Sequence, residues 1–452
     1  MQIKYAHSFV ILAATCSLLS CTASRQPLPS TVNTMSPVIE IPTDMSAENV
    51  PDSSRTDAFL ENLLRQYPQY FDSILSNRKE YNVQVIYTEI DRGANGMAAL
   101  KHHYFNVNAG NYFYPASTVK LPVSLLALQR LNELKDTDID KNTTLLTQVA
   151  YSGQTAVIND PTTVDGKPSI AQYIKKVLMV SDNDAYNRLY EFLGPRYINE
   201  QLHQKGYTDV QLLHRLEANL SPDENRHTNP VKFIGKNNET IYQQAMQYDT
   251  TKYSIRNDTL GKSYYAGGEL INKPMDFSNK NRISLEDLHR ILISLVFPYR
   301  MKSTERFNIT DEDRNFMLKY MSQLPTESTY PPYSDDASHY YPAYCKFLLY
   351  GAEKGLLPKN IRVFNKVGDA YGQLLDVAYV VDFDKKIEFF LSAVIYCNSD
   401  GVLNDDKYDY DTVGFPFMKH LGQIIYDYES KREKKITPDL SGLKFVYDRE
   451  AF

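Results

Sequence analysis

Strand patterns stand at both ends of this chain with a long helical stretch between them, and this arrangement narrows the possible folds more than any other feature. Val83-Gln84-Val85-Ile86-Tyr87 and Tyr104-Phe105-Asn106-Val107 read as strands, and Asp91 to Gly96 between them reads as a turn, so the two pair as a hairpin. Strands return only at Ile361 to Lys366, Leu374 to Phe383 and Ile387 to Tyr396. From about Lys135 to Gly351 helical patterns predominate. Phe59, Leu63, Leu64, Tyr67 and Phe71 mark an amphipathic helix before the first strand, and another runs from about Phe415 to Tyr428. The economical architecture is an α/β (α+β) fold, with one antiparallel sheet built from both ends of the chain, flanked by helices and interrupted by a helical lobe.

One stretch in that order carries chemistry. Ser117 and Lys120 stand three apart where Leu121, Leu125 and Leu128 open an apolar helix, so a hydroxyl and an amine share one face. A lysine desolvated there loses basicity and can take the proton of a neighbouring serine, which lets a serine attack without histidine. Ser-x-x-Lys also occurs at Ser76-Lys79 and Ser441-Lys444, but in polar context that reads as solvated surface.

Two further groups are each ambiguous alone. Ser181-Asp182-Asn183 lies between the helical patterns Ile170, Ile174, Leu178 and Tyr186, Leu189, Leu193. Its hydroxyl and amide suit proton relay and substrate holding, or equally the capping of the second helix. Lys366-Val367-Gly368 ends an apolar strand, where glycine permits close approach of a ligand and lysine offers charge to a carboxylate.

Taken in order, Ser117-x-x-Lys120, Ser181-Asp182-Asn183 and Lys366-x-Gly368 resemble the three motifs of the penicillin-recognising serine hydrolases, the class A β-lactamases most closely. The resemblance spans about Asp57 to Lys431 and implies a β-lactamase/transpeptidase-like fold with its site between sheet and helical lobe. Arg215-Leu216-Glu217-Ala218-Asn219-Leu220 is similar to the class A omega loop, with Glu217 standing 36 positions past Ser181. It implies that a partly buried Glu217 carboxylate activates the deacylating water. By the same resemblance Ser117 is the nucleophile, Lys120 its base and Ser181 the relay to the leaving nitrogen. Asn183, Lys366, Gly368 and Asp369 would bind substrate, with the Ser117 and Asp369 N–H groups forming the oxyanion hole.

Ser221 stands where class A enzymes carry the asparagine that holds the deacylating water together with the glutamate. Other departures bear on substrate: Val367 lacks the usual hydroxyl, and Asp369 adds a negative charge. No arginine occurs between Arg362 and Arg432 to assist a carboxylate. The implied function is acyl-enzyme hydrolysis of β-lactam amides. A peptidoglycan D-Ala-D-Ala carboxypeptidase or esterase of the same fold is the alternative, and a non-catalytic cell-wall-binding protein a third reading.

The ends of the chain place it in the cell. Lys4 followed by an apolar run from Phe9 to Leu19, too short to span a bilayer, reads as an export signal over 1–20. Leu18-Leu19-Ser20-Cys21 resembles a bacterial lipobox, which implies cleavage before Cys21 and lipidation of its thiol, hence a periplasmic protein anchored to a membrane. Residues 21–56 are rich in Ser, Thr and Pro and read as a disordered tether. The hydrolase domain then covers 57–431, with a helical lobe at about 117–350 containing an insertion at about 223–282, and 432–452 form a tail. Ser284 to Asp287 and Thr310 to Asp313 have the character of capping boxes that begin helices, and Gly267-Gly268 suggests a hairpin inside the insertion. An oxidising compartment permits Cys345 and Cys397 to bridge, although spacing does not show whether they meet. No cluster has metal-ligand spacing, so neither metal nor cofactor is expected. A net charge of −6 without a basic block gives no reason to expect nucleic acid, and the protein is expected to be a monomer.

Overall fold

The computed structural model describes residues 54–134 and 138–449. The segment expected to be an export signal, Cys21 and nearly all of the expected tether therefore lie outside the described residues.

Five antiparallel strands form the main sheet, in the order Ile361–Ala370, Gln373–Asp382, Ile387–Tyr396, Gln84–Arg92, Ala98–Phe105. Both ends of the chain contribute to it, as the strand patterns predict. Side chains alternate between two cores, as the two-residue period requires. Val85, Tyr87, Leu374, Ala378 and Val380 face one core, shared with Ala58–Arg65, Pro68–Ser76 and Phe415–Lys431. Ile86, Ile90, Leu375, Val377 and Tyr379 face the other, which is continuous with the helical lobe and the helix Leu285–Val296. Burial on both faces explains why Leu374 to Val381 reads as an almost unbroken apolar run. The adjacent His102 and His103 separate in the same way: His102 bonds Thr88 at 2.7 Å, while His103 faces Glu89 at 3.1 Å in the other core.

The lobe is built on Lys120–Glu133, Ile170–Val180, Asn183–Leu193 and Pro195–Gln204. Ser284 and Thr310 cap helices as expected, by accepting from the Asp287 and Asp313 N–H groups. The insertion differs from a helical lobe, because beyond the short helix Pro222–Arg226 its regular elements are strands of two to five residues joined by loops. Ser263–Ala266 and Glu269–Ile271 form the expected hairpin, whose Gly267 and Gly268 both take positive φ, at 59° and 85°.

Two boundaries also shift. Arg55 exchanges both backbone hydrogen bonds with Val107, so ordered pairing begins inside the segment assigned to the tether. The tail packs rather than trails: Leu440 is buried and the Tyr447 hydroxyl lies 2.9 Å from Ser322 Oγ. Cys345 and Cys397 are both buried as free thiols and form no bridge.

Candidate active site

A short 3₁₀ turn, Ala116–Val119, delivers Ser117 to the start of the helix Lys120–Glu133. Ala116 takes φ 46°, a left-handed conformation that costs a non-glycine residue energy and recurs at functional sites. Ser117 remains partly exposed while Lys120 is fully buried, so the hydroxyl is reachable and the amine is not.

Lys120 Nζ donates to Ser117 Oγ at 2.8 Å, to Ser181 Oγ at 3.2 Å and to Asn183 Oδ1 at 2.5 Å, and also to the Ser181 carbonyl. Lys366 Nζ donates to Ser181 Oγ at 2.8 Å and to the Val367 carbonyl at 2.9 Å. Two serines and two lysines thus form one chain of contacts. Burial lowers the Lys120 amine well below the ordinary lysine range, and the neighbouring Lys366 charge lowers it further. Burial also pushes Lys366 down to about 8.

Local structure explains how residues so far apart in sequence converge. Ser181 ends the helix Ile170–Val180 in a left-handed conformation, φ 60°, and Asp182 caps the next helix by accepting from the Ala185 N–H at 2.8 Å. Capping and site geometry are therefore both present, divided between neighbouring residues. Gly368 lies on the edge strand of the sheet, where a Cβ would sit 2.9 Å from the Pro115 oxygen and 3.0 Å from the Ser117 nitrogen. Only glycine lets the strand approach the turn this closely. Asp369, next along the strand, keeps exposed surface but is closely surrounded by protein, and that burial raises its carboxyl above the ordinary range against the lowering charges of Lys366 and Lys120.

Glu217 departs from expectation. It is exposed rather than partly buried, takes φ 49°, and makes no hydrogen bond or ion pair among the described residues. The loop is pinned just before it: Asn187 brackets Leu216, accepting from its N–H at 2.8 Å and donating to its carbonyl at 2.9 Å. Arg215 is buried and pairs with Glu191 at 2.8 Å rather than with Glu217, and it also donates to the His227 carbonyl at 2.9 Å. Ser221 is committed to a capping box with Glu224, which leaves Glu217 without the expected second water-holding group.

Arg215→Ala should therefore destabilise the fold, because Glu191 would keep only Arg188 and several carbonyls would lose their donor. The expected loss is about 3 kcal/mol, read from the denaturant midpoint.

A buried polar network beside Lys366 is absent from the sequence reading. Lys346 Nζ donates to Asn365 Oδ1 at 2.7 Å, and Asn365 Nδ2 donates to Asp376 Oδ1 at 2.8 Å. Burial lowers the Lys346 amine and raises the Asp376 carboxyl. Asn365 and Asp376 interrupt apolar strands, and that interruption is the signal that points to the network. Among the described residues no group of His, Cys, Asp or Glu is placed to hold a metal ion.

The chain belongs to the family described as the Beta-lactamase enzyme family, which matches residues 68–428, and is a β-lactamase-like hydrolase at that level. Among solved structures, a class A β-lactamase from Clostridium kluyveri is 17% identical, with 79% of this chain and 98% of that one covered at a TM-score of 0.44. A β-lactamase from Burkholderia ambifaria is 14% identical, with 79% and 97% covered at a TM-score of 0.43. An ancestral class A β-lactamase is 14% identical, with 81% and 99% covered at a TM-score of 0.43. No curated protein matches the chain.

Proposed function

We propose that this protein is a serine hydrolase that works through an acyl-enzyme on β-lactam amides. The observation that carries the reading is the 2.8 Å contact between a reachable Ser117 hydroxyl and the fully buried Lys120 amine. Ser117 Oγ attacks the amide carbonyl and its proton passes to Lys120 Nζ. Ser181, held between Lys120 and Lys366, hands a proton to the leaving nitrogen as the C–N bond breaks. The Ser117 and Asp369 N–H groups stabilise the oxyanion, and Asn183 orients the substrate. Glu217 activates the water that releases the acyl group.

A second reading, a D-Ala-D-Ala carboxypeptidase or esterase, is favoured by the same exposed Glu217 and by the loss of Ser221 to a cap. Steady-state rates on a chromogenic cephalosporin and on a D-Ala-D-Ala peptide separate the two. Faster turnover of the cephalosporin supports the β-lactamase reading, whereas hydrolysis of the peptide alone rejects it.

Export and anchoring through a lipid on Cys21 are part of the proposal, supported by the lipobox-like Leu18 to Cys21. No helix among the described residues is long and apolar enough to cross a membrane. Cys21→Ala should abolish lipid labelling and release the protein from the membrane fraction. Unchanged fractionation would reject the anchor.

A further inference from the structure

We infer that the cavity between the loop that carries Glu217 and the insertion is a second ligand site, which takes a small organic carboxylate with an apolar body. Its occupant braces that loop.

The cavity holds about 350 Å³, within the range of small-molecule sites. His214, Ala218 and Leu220 line it from the loop side, and Tyr253, Ile255 and Lys280 from the insertion. His214 precedes Glu217 and Ala218 follows it, so a molecule filling the cavity touches the chain on both sides of that residue. Ser117, Lys120, Ser181 and Lys366 take no part in the walls, which sets this cavity apart from the site of the nucleophile.

The charges on the walls decide the ligand. Asp249 is the one carboxylate among the lining residues, and both its oxygens are taken, by the Thr251 N–H at 2.9 Å and by the Tyr253 hydroxyl at 2.6 Å. Three cations face it. Arg256 is paired with Asp258 at 3.2 Å and donates to the Phe277 and Ser278 carbonyls at 3.3 and 2.7 Å, which fixes the turn leading to Lys280. Arg226 donates only to the Asp249 and Thr251 carbonyls, each at 2.8 Å, and has no carboxylate partner among the described residues. Its guanidinium stands over the Tyr253 ring, 5.4 Å from the centroid, and is held at the wall. Lys280 Nζ makes no hydrogen bond or ion pair among the described residues, and burial lowers its amine, a cost that a bound carboxylate would offset. The fourth titratable group, His214, adds no charge, because burial lowers its ring to about 4. Two cations from separate elements, Arg226 and Lys280, thus border one cavity without a counter-ion, and they suit a carboxylate. Ile255, 93% exposed, and the neighbouring Leu220 supply apolar surface for the rest of the molecule.

The test titrates the native full chain by calorimetry with N-acetylphenylalanine and, as the neutral control, its methylamide. The acid should bind at least about fivefold more tightly than the methylamide, and high salt should narrow that gap. Lys280→Gln removes an amine without partners and should leave the fold intact while bringing the two affinities together, as should Arg226→Gln. Hydrogen exchange of the native protein locates the ligand without any variant: the acid should slow exchange over 213–220 and 249–256. Equal affinity for the two probes, or binding of neither below about 10 mM, overturns the inference. So does a gap unmoved by both substitutions, or protection confined to the strand of Lys366 and the turn of Ser117.

Discussion

Replacing Lys120 with methionine should slow acylation of Ser117 by roughly 10²–10⁴-fold, the range that a positioned general base supplies. Methionine keeps much of the apolar stem but removes the amine, so Ser117 loses its proton acceptor and the Ser181 carbonyl and Asn183 Oδ1 lose their donor. The pH profile carries the same information in the native protein. Lys120 acts as a base only when neutral, so acylation should fall as pH drops through its lowered folded pKa. Lys366→Ala removes a positive charge that helps keep Lys120 neutral, and the acidic limb should move to higher pH. Stability follows with the same sign: the charged amine is disfavoured in the fold, so this group's contribution is present at high pH and lost as pH falls through the folded value. Stopped-flow acylation between mildly acidic and alkaline pH measures the kinetic effects, and denaturant midpoints over the same pH range measure the effect on stability. An acylation rate unchanged in Lys120→Met would mean that another group takes the proton.

Glu217→Gln should leave acylation nearly intact and slow release, with steady-state turnover falling roughly 10²–10⁴-fold while acyl-enzyme accumulates. The exposed Glu217 and the commitment of Ser221 to Glu224 make this the most discriminating substitution. A protein whose Glu217→Gln variant turns over β-lactam at the native rate, with nothing trapped, does not use this loop for deacylation. The carboxypeptidase or esterase reading would then gain.

Most of the frame was legible in the sequence because strand and helix periods differ and each element is long. Leu374 to Val381 and Ile387 to Tyr396 are apolar enough to be recognised as strands in isolation. The short strands of the insertion were not legible, since Glu269–Ile271 or Thr240–Gln244 bury too little to need an alternating pattern. Ser117, Lys120, Ser181, Asn183, Lys366 and Gly368 were readable as local groups, and the fold brings them together. Burial was the harder quantity. Whether Glu217 is enclosed depends on packing around the loop, and Arg215, two positions before it, is held by Glu191 from another element. Asn365 and Asp376 carry a visible signal as polar residues in apolar strands, but nothing local reveals that Lys346 completes their network.

Ser117 is expected to form an acyl bond with the substrate, which water then releases. Intact-protein mass spectrometry after mixing with a penicillin, followed over time and with the adduct mapped to a peptide, tests this directly. The predicted result is one added penicillin mass on Ser117 that appears and then decays, and that never forms in Ser117→Ala. An adduct on another serine, or a folded protein that neither gains the mass nor consumes the penicillin, would contradict it.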